Sequence, residues 1–411
     1  MRRSFAIHQS YLSGARNILR LRLLSLFLLL SVQGRSAFSY PDFISHGYTS
    51  CLTCHYNGNG GGPVNDYGRA LWATEFSSRL LFPQGMSEDD LIAQSGFLGT
   101  APMPSWFRAQ IDYRDLQLHT NPGSASTDAS KYYQMQADLS LILQNESNRV
   151  TGVVTYGRQV PPEDFGLGTA GLNHLLAKEY YLRVETIKGW FVYAGLLEKV
   201  FGIRNVNHMS YQRVNQGFNI QNNSPDGTST SQGVVVQGVG KAWELNLNGF
   251  IGNPYDSQQS KQSGGSLMSE IDVGEYKRLG VSLFSGTSAI KNKQMAAIHY
   301  RQQVGIGSAL LAEYGLIQDT LASSSVQVGS YNYLEVMAQL TRGYNLLTTV
   351  ERYNTEFKPI SPDQWRFGIG FLIFPIQRFE FRAEAINERQ FSAEGVQNDA
   401  WVLEGQLHVS L

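Results

Sequence analysis

From Trp106 to the last residue, apolar and polar positions alternate in runs with the period of two that a β-strand imposes on its side chains. Tyr133, Met135, Ala137, Leu139, Leu141 and Leu143 alternate with Gln134, Gln136, Asp138 and Ser140. Trp243, Leu245 and Leu247 alternate with Glu244, Asn246 and Asn248, and Phe379, Phe381, Ala383 and Ala385 with Arg378, Glu380, Arg382 and Glu384. Such runs often reach about ten residues, the length a tilted membrane-crossing strand needs. Tyr and Trp recur near their ends, at Trp106, Tyr132, Tyr180, Trp190, Trp243, Tyr331, Tyr344, Trp365 and Trp401, as in the aromatic girdles of membrane barrels. Connections come in two sizes. Tight turns fall at Asn145 to Asn148, Lys188-Gly189, Gly240-Lys241, Val304 to Gly307, Arg342-Gly343 and Phe374 to Ile376; long polar stretches fall at Gln159 to Leu176, Phe201 to Ser231 and Arg389 to Ala400. Splitting Ser266 to Gly286 at a turn near Gly274 keeps the tight turns on one side and gives about 16 strands, an even number with both ends on the periplasmic side. The pattern predicts a mainly β protein, a transmembrane antiparallel β-barrel over residues 105–411. A soluble all-β protein would also alternate, but would need edge protection that is not evident here.

Upstream of residue 105 the pattern is different. The first 39 residues hold six arginines and no acid, with an apolar run from Leu23 to Leu30 too short to span a bilayer. This is the layout of a cleaved signal peptide, residues 1–39, with cleavage before Tyr40 or after Gly34/Ser36; an N-terminal anchor helix is the alternative. Over residues 40–104, Leu71, Trp72, Phe76, Leu80 and Leu81 predict a helix across Arg69 to Phe82. Ser87 followed by Glu88, Asp89 and Asp90 predicts a second helix start, and Gly96, Gly99, Pro102 and Pro104 end regular structure. The expectation is a short helical cap at the periplasmic mouth. Such a small segment buries too little surface to enclose a large ligand alone, so the barrel should complete any pocket.

The charge balance is 33 basic against 34 acidic residues, and without the leader arginines it becomes 27 against 34. A mildly acidic mature chain has no patch that suits nucleic acid. Only two cysteines occur, in the run Cys51-Leu52-Thr53-Cys54-His55, so no disulfide framework holds this exported chain. Two thiols at this spacing can add to the two vinyl groups of one haem, with the adjacent histidine placed to ligate iron. A thioredoxin-like CxxC would need a surrounding βαβ pattern, and a zinc site a second ligand pair; neither is present. The expected cofactor is one covalent haem c on Cys51 and Cys54, with His55 as proximal ligand. His46 or Met86 is the candidate distal ligand, ahead of Met103 and His119. The glycine-rich stretch Tyr56 to Gly62 is turn-forming backbone that could pass close to the porphyrin edge.

A secretory leader, a single CxxCH whose tail ends Asn65-Asp66-Tyr67-Gly68, and a porin-sized alternating region together resemble the haem-bearing outer-membrane porins of Gram-negative bacteria, near the porin–cytochrome electron conduits. The chain departs from many such barrels in ending on Leu411 rather than an aromatic residue. The segment Phe201 to Arg213, with Arg204, His208 and Arg213, resembles a constriction loop; a plain surface loop is the alternative. The resemblance implies a cytochrome porin of the outer membrane taking part in electron transfer. It would be no enzyme, and would work with outer-membrane lipid, with periplasmic or multihaem redox partners and, by analogy with porins, as a homo-oligomer. The alternative is a passive diffusion porin whose haem segment is a structural plug or redox gate. A haem peroxidase would require an open distal face that no residue pattern here supplies.

Overall fold

The computed structural model describes residues 44–411 save 47, 49, 80–84, 100–102, 122–127, 159–174, 205–209, 219–227, 357–362 and 392–396. The expected leader, Tyr40 and His208 lie outside the described residues. Sixteen antiparallel strands close into a barrel in sequence order, β16 pairing back onto β1. The first eight are β1 Phe107–Asn121, β2 Ala129–Gln144, β3 Val150–Arg158, β4 Leu175–Ile187, β5 Trp190–Glu198, β6 Thr230–Val239, β7 Trp243–Phe250 and β8 Ser263–Gly274. Then come β9 Lys277–Thr287, β10 Lys291–Gly305, β11 Ser308–Leu321, β12 Val326–Thr341, β13 Tyr344–Asn354, β14 Asp363–Ile373, β15 Phe379–Phe391 and β16 Gln397–Ser410. The split near Gly274 is real: β8 ends there and Tyr276 turns the chain with φ 66°. At the seam, Asp112 faces Ser410 and Asn121 faces Trp401, while Leu411 and Ile111 exchange backbone hydrogen bonds of 2.8 and 2.9 Å.

The two faces of this sheet are reversed relative to a water-soluble protein. Leu139, Leu141, Val281, Leu283, Ile369 and Phe371 are exposed on the outer face. Ser140, Asn246, Ser282, His299, Arg366 and Glu384 are buried on the inner face. A continuous apolar exterior of this kind is stable only against lipid. Trp106, Trp190 and Trp243 stand at the tight-turn end, and Trp365 and Trp401 at the opposite end, marking two girdles. Tyr331 does not join them. It is fully buried inside, bonded to Glu313 and Gln216, because its register position points inward. The long-loop end is also less uniform than the sequence suggests, since β9–β10 and β11–β12 are joined there by short turns.

Most inner charges lie against opposite ones. Arg278 meets Glu244 and Glu270 at 3.2 Å each, and Arg366 meets Glu388 at 2.9 Å and Glu404 at 3.1 Å. All of these side chains but Glu388 are nearly inaccessible, so the barrel interior is filled rather than open. Two segments fill it. One is the connection after β5: Gly202 N–H donates to Ser282 Oγ at 3.0 Å, and the short helix α3, Tyr211–Gln216, lies against β12 and β13. The constriction-loop expectation for Phe201 to Arg213 is thereby met over its described residues.

The other is the N-terminal segment, whose tip enters the barrel while its helices stay at the tight-turn mouth. Its helix α1, Asp66–Leu71, runs on as a π-turn to Phe76 and stops at the extended Ser77. It therefore begins and ends earlier than the apolar spacing predicts, because Asn65 caps it upstream. Helix α2, Glu88–Gln94, starts as expected, with Ser87 and Asp90 forming a capping box.

Candidate functional site

The motif residues form one tight turn. Cys51–Thr53 is a 3-10 turn, with the N–H of Cys54 and of His55 donating to Cys51 O at 3.2 and 2.9 Å. The turn keeps Cys51, Cys54 and His55 within one short stretch of chain, the spacing that two thioethers and an axial imidazole use. Asn65 fastens the turn to α1. Its Nδ2 donates to Thr53 O at 3.0 Å and to Leu52 O at 3.3 Å, while its Oδ1 caps the helix at Gly68 N, 2.9 Å away. Gly68 packs so closely that a Cβ there would stand 2.6 Å from Cys54 O. The Asn65 to Gly68 tail thus has a structural reason: it holds the turn. Asn65→Ala should remove about 0.5–2 kcal/mol of cap stabilisation and expose the turn to protease well before the barrel is cut, as read by limited proteolysis.

Beyond His55 the chain doubles back, with His55 bridged to Val64. The glycine tip enters the lumen and meets its wall. Gln237 Nε2 donates to Gly58 O at 3.2 Å, Arg204 Nη1 to Gly60 O at 2.6 Å, and Asn57 Nδ2 to Glu179 Oε1 at 2.9 Å. Gly60, Gly61 and Gly62 all have φ between 59° and 78°, and a Cβ on Gly61 would lie 2.2 Å from the Arg204 guanidinium. Gly60 and Gly61 thus meet Arg204 of the inward connection, and Gly62 meets Glu179 of β4. Tyr56 completes the insertion, packing on Ile142, Val153, Tyr181, Tyr193 and Val235 of the inner face.

Three arginines hold the segment at the tight-turn mouth. Arg108 grips Asp66 through Nε at 2.8 Å and Nη2 at 2.6 Å. Burial raises the Asp66 pKa, but Arg108 and Arg69 outweigh it and hold the carboxyl below its ordinary range. Arg342 donates to Ser77 O at 2.9 Å and to Thr74 O, and Arg378 donates to the Gln94 and Gly96 carbonyls.

Cys51 and Cys54 are free thiols. Burial, with Glu244 nearby, pushes Cys51 up to about 11; burial and Cys51 push Cys54 up to about 12. Thiols so raised are poor thiolates, which disfavours a disulfide-exchange site. Burial and then Arg204 lower His55 to about 4, keeping its imidazole in the neutral form that can bind a metal.

His55 opens into a lumenal cavity of about 260 Å³, whose apolar side is Val64, Trp72, Phe76, Leu372 and Phe374. Cys51 lines a second cavity of about 60 Å³, and Glu198, Arg204 and Arg213 border both. Cys54 packs against Leu71, Phe76, Met337 and Leu347. The donor set fits a covalent haem: Cys51 and Cys54 would hold it, and the neutral His55 would ligate its iron.

Neither candidate distal ligand lines the larger cavity. His46 packs on Phe76, ring centroids 4.3 Å apart, and Met86 is half-buried beside the Ser87 cap. Among the described residues that share the cavity with His55, Met135 brings a thioether and His408 a second imidazole. His408 sits on β16, its Nδ1 3.1 Å from Glu380 and its Nε2 3.5 Å from Asp112. Sequence reasoning named Asn65 in the motif's tail without its capping role, and missed Arg108, Arg114 and His408. Arg108 and Arg114 lie on β1 and His408 on β16, and strand periodicity says only that an inner residue is polar.

No protein-family model and no curated protein sequence matches the chain. Solved structures do. The outer-membrane channel DcaP of Acinetobacter baumannii is 10% identical with TM-score 0.54, covering 74% of this chain and 97% of its own. OmpT of Vibrio cholerae is 8% identical with TM-score 0.58, covering 76% and 99%. The anion-selective porin from Comamonas acidovorans is 9% identical with TM-score 0.53, covering 74% and 99%. The share of this chain that is covered is about that of the barrel, residues 107–411. At such identities the likeness is one of fold, and it agrees with the reversed faces and the closed strand order: the chain is a porin-like sixteen-stranded β-barrel resembling the outer-membrane channels of Gram-negative bacteria.

Proposed function

We propose that this protein is an outer-membrane channel, not an enzyme, whose lumen is closed by its own N-terminal segment, a plug carrying one covalent haem c. The observation behind the plug is that Tyr56 and the glycine tip occupy the lumen while Arg108, Arg342 and Arg378 hold the segment at one mouth. The tight-turn mouth is then periplasmic, as in barrels of this class. A homo-oligomer is consistent with the fold; OmpT of Vibrio cholerae has been solved in a trimer form.

Cys51 and Cys54 would hold the haem and His55 would ligate its iron. The bound group would supply one-electron chemistry, and the surrounding chain would exclude water and orient the imidazole. In planar bilayers the full-length protein should show rare, small conductance steps; a large, steadily open pore would refute the plug. Haem staining on a denaturing gel should be present in the wild type and absent after Cys51→Ala with Cys54→Ala. Stain that persists in the double variant would end the covalent reading.

Electron transfer is the second reading, favoured by the position of the CxxCH turn between the two mouths instead of outside the barrel. One haem does not bridge an apolar band about 25 Å tall, so this reading requires redox partners at both mouths. Stopped-flow oxidation of the reduced protein in proteoliposomes by an external acceptor would test it. Reaction only with acceptors on the plug side would leave the gate reading alone.

A further inference from the structure

The larger lumenal cavity has an apolar side, from Trp72, Phe76 and Phe374, and a cationic side on which every cation but one is matched among the described residues. Arg204 and Arg213 pair with Glu198, Arg382 pairs with Glu384 at 3.0 Å, and Lys178 pairs with Asp138 at 2.9 Å. His408 lies between Glu380 and Asp112.

Arg114 of β1 is the exception. It has no carboxylate within ion-pair distance among the described residues, and its Nε is buried without a hydrogen-bond partner. Its Nη2 meets His408 Nδ1 at 3.2 Å. That nitrogen also faces Glu380 at 3.1 Å, and His408 Nε2 faces Asp112. The Nδ1 of His408 can serve only one of its two neighbours at a time, accepting from Arg114 or donating to Glu380. The guanidinium is half-buried, with its Nε buried and unpartnered and its Nη2 on a shared nitrogen, a desolvation cost that an incoming anion would reduce.

The geometry points to Arg114 as the carboxylate-binding residue of this cavity, receiving the acid group of a flat apolar ligand whose body lies against Trp72, Phe76 and Phe374. The fork of its guanidinium suits a carboxylate held by two parallel bonds. The acid is a porphyrin propionate or the carboxylate of a permeating organic acid. The inference rests on the haem-bearing plug only for the choice between these two.

The test uses the full chain carrying Cys51→Ser and Cys54→Ser, so that covalent attachment plays no part. Free haemin and haemin dimethyl ester are titrated while tryptophan emission is followed, Trp72 lying in the cavity wall. Haemin should bind about tenfold or more tighter than the ester, since a hydrogen bond to a charged group contributes roughly 1.5–3 kcal/mol and 1.4 kcal/mol is tenfold. The preference should vanish in Arg114→Gln and return in part in Arg114→Lys. Competition by benzoate but not benzamide would identify a solute carboxylate as sufficient; its failure, with haemin preferred, would identify the porphyrin acid. Equal binding of haemin and ester, binding of neither, or a preference unchanged in Arg114→Gln would overturn the proposal. Each variant is checked for the heat-dependent gel mobility of a folded barrel. Haem staining of the wild type reports covalent attachment separately, so that reading can fail while the carboxylate site stands.

Discussion

Deleting residues 44–99 should turn a protein that barely conducts into one with large, long-lived openings. The deletion removes Tyr56 from its patch on Ile142, Val153, Tyr181, Tyr193 and Val235, and frees Gln237, Glu179 and Gln110 from bonds to the plug. Those wall residues then face water, as in an open porin. The gain should be incomplete, because a second closure lies toward the loop end. There Phe201 and Phe218 of the inward loop meet Phe250 and Phe284, with ring centroids 5.3 to 6.2 Å apart. An apolar constriction of this kind can hold a pore dry. Adding Phe201→Ser and Phe218→Ser should raise conductance further. If the deletion alone stayed as closed as the full chain, the inward loop and not the plug would be the seal.

A second large effect is expected on the outer face. Leu283, near the middle of β9, and Ile369, near the middle of β14, are 55% and 56% exposed to the bilayer side. An arginine at the bilayer midplane of a barrel costs about 2–4 kcal/mol, falling to about 0–1 near the interfaces. Leu283→Arg with Ile369→Arg should therefore cost roughly 4–8 kcal/mol in all, comparable with the whole stability of a typical domain, about 5–15 kcal/mol. Leu340→Arg, near the turn end of β12, is the control and should lose about 1 kcal/mol or less. Urea-dependent folding into lipid vesicles, followed by tryptophan emission, measures all three. Equal losses at the three sites would mean that the exterior band is not read by lipid depth.

Much of the fold was legible because two demands of a lipid-immersed barrel are written locally. A lipid-facing residue must be apolar and its neighbours are free to be polar, so Leu139 and Leu141 against Asp138 and Ser140 declare both strand and face. Parity adds a global constraint from local data, and it placed the turn after Gly274 that alternation alone runs through. The CxxCH turn is likewise local, since its three donors lie within five residues.

What occupies the lumen was decided only in the folded molecule. A hint exists: the inner positions Asp138 and Ser140 are followed by an apolar Ile142, and Val153 and Val235 break the same polar row on β3 and β6. A water-filled pore gives no reason for that patch, and Tyr56 is the reason. Yet the patch is assembled from strands that meet only when the barrel closes, and no periodicity in one strand names the side chain that covers it. The same holds for the site. Arg114 and His408 come together because β16 pairs with β1, with Arg114 opposite His408 across the seam. Alternation determines that each points inward; the closing register alone makes them neighbours of His55, and inter-strand register depends on contacts that no single segment of the sequence contains.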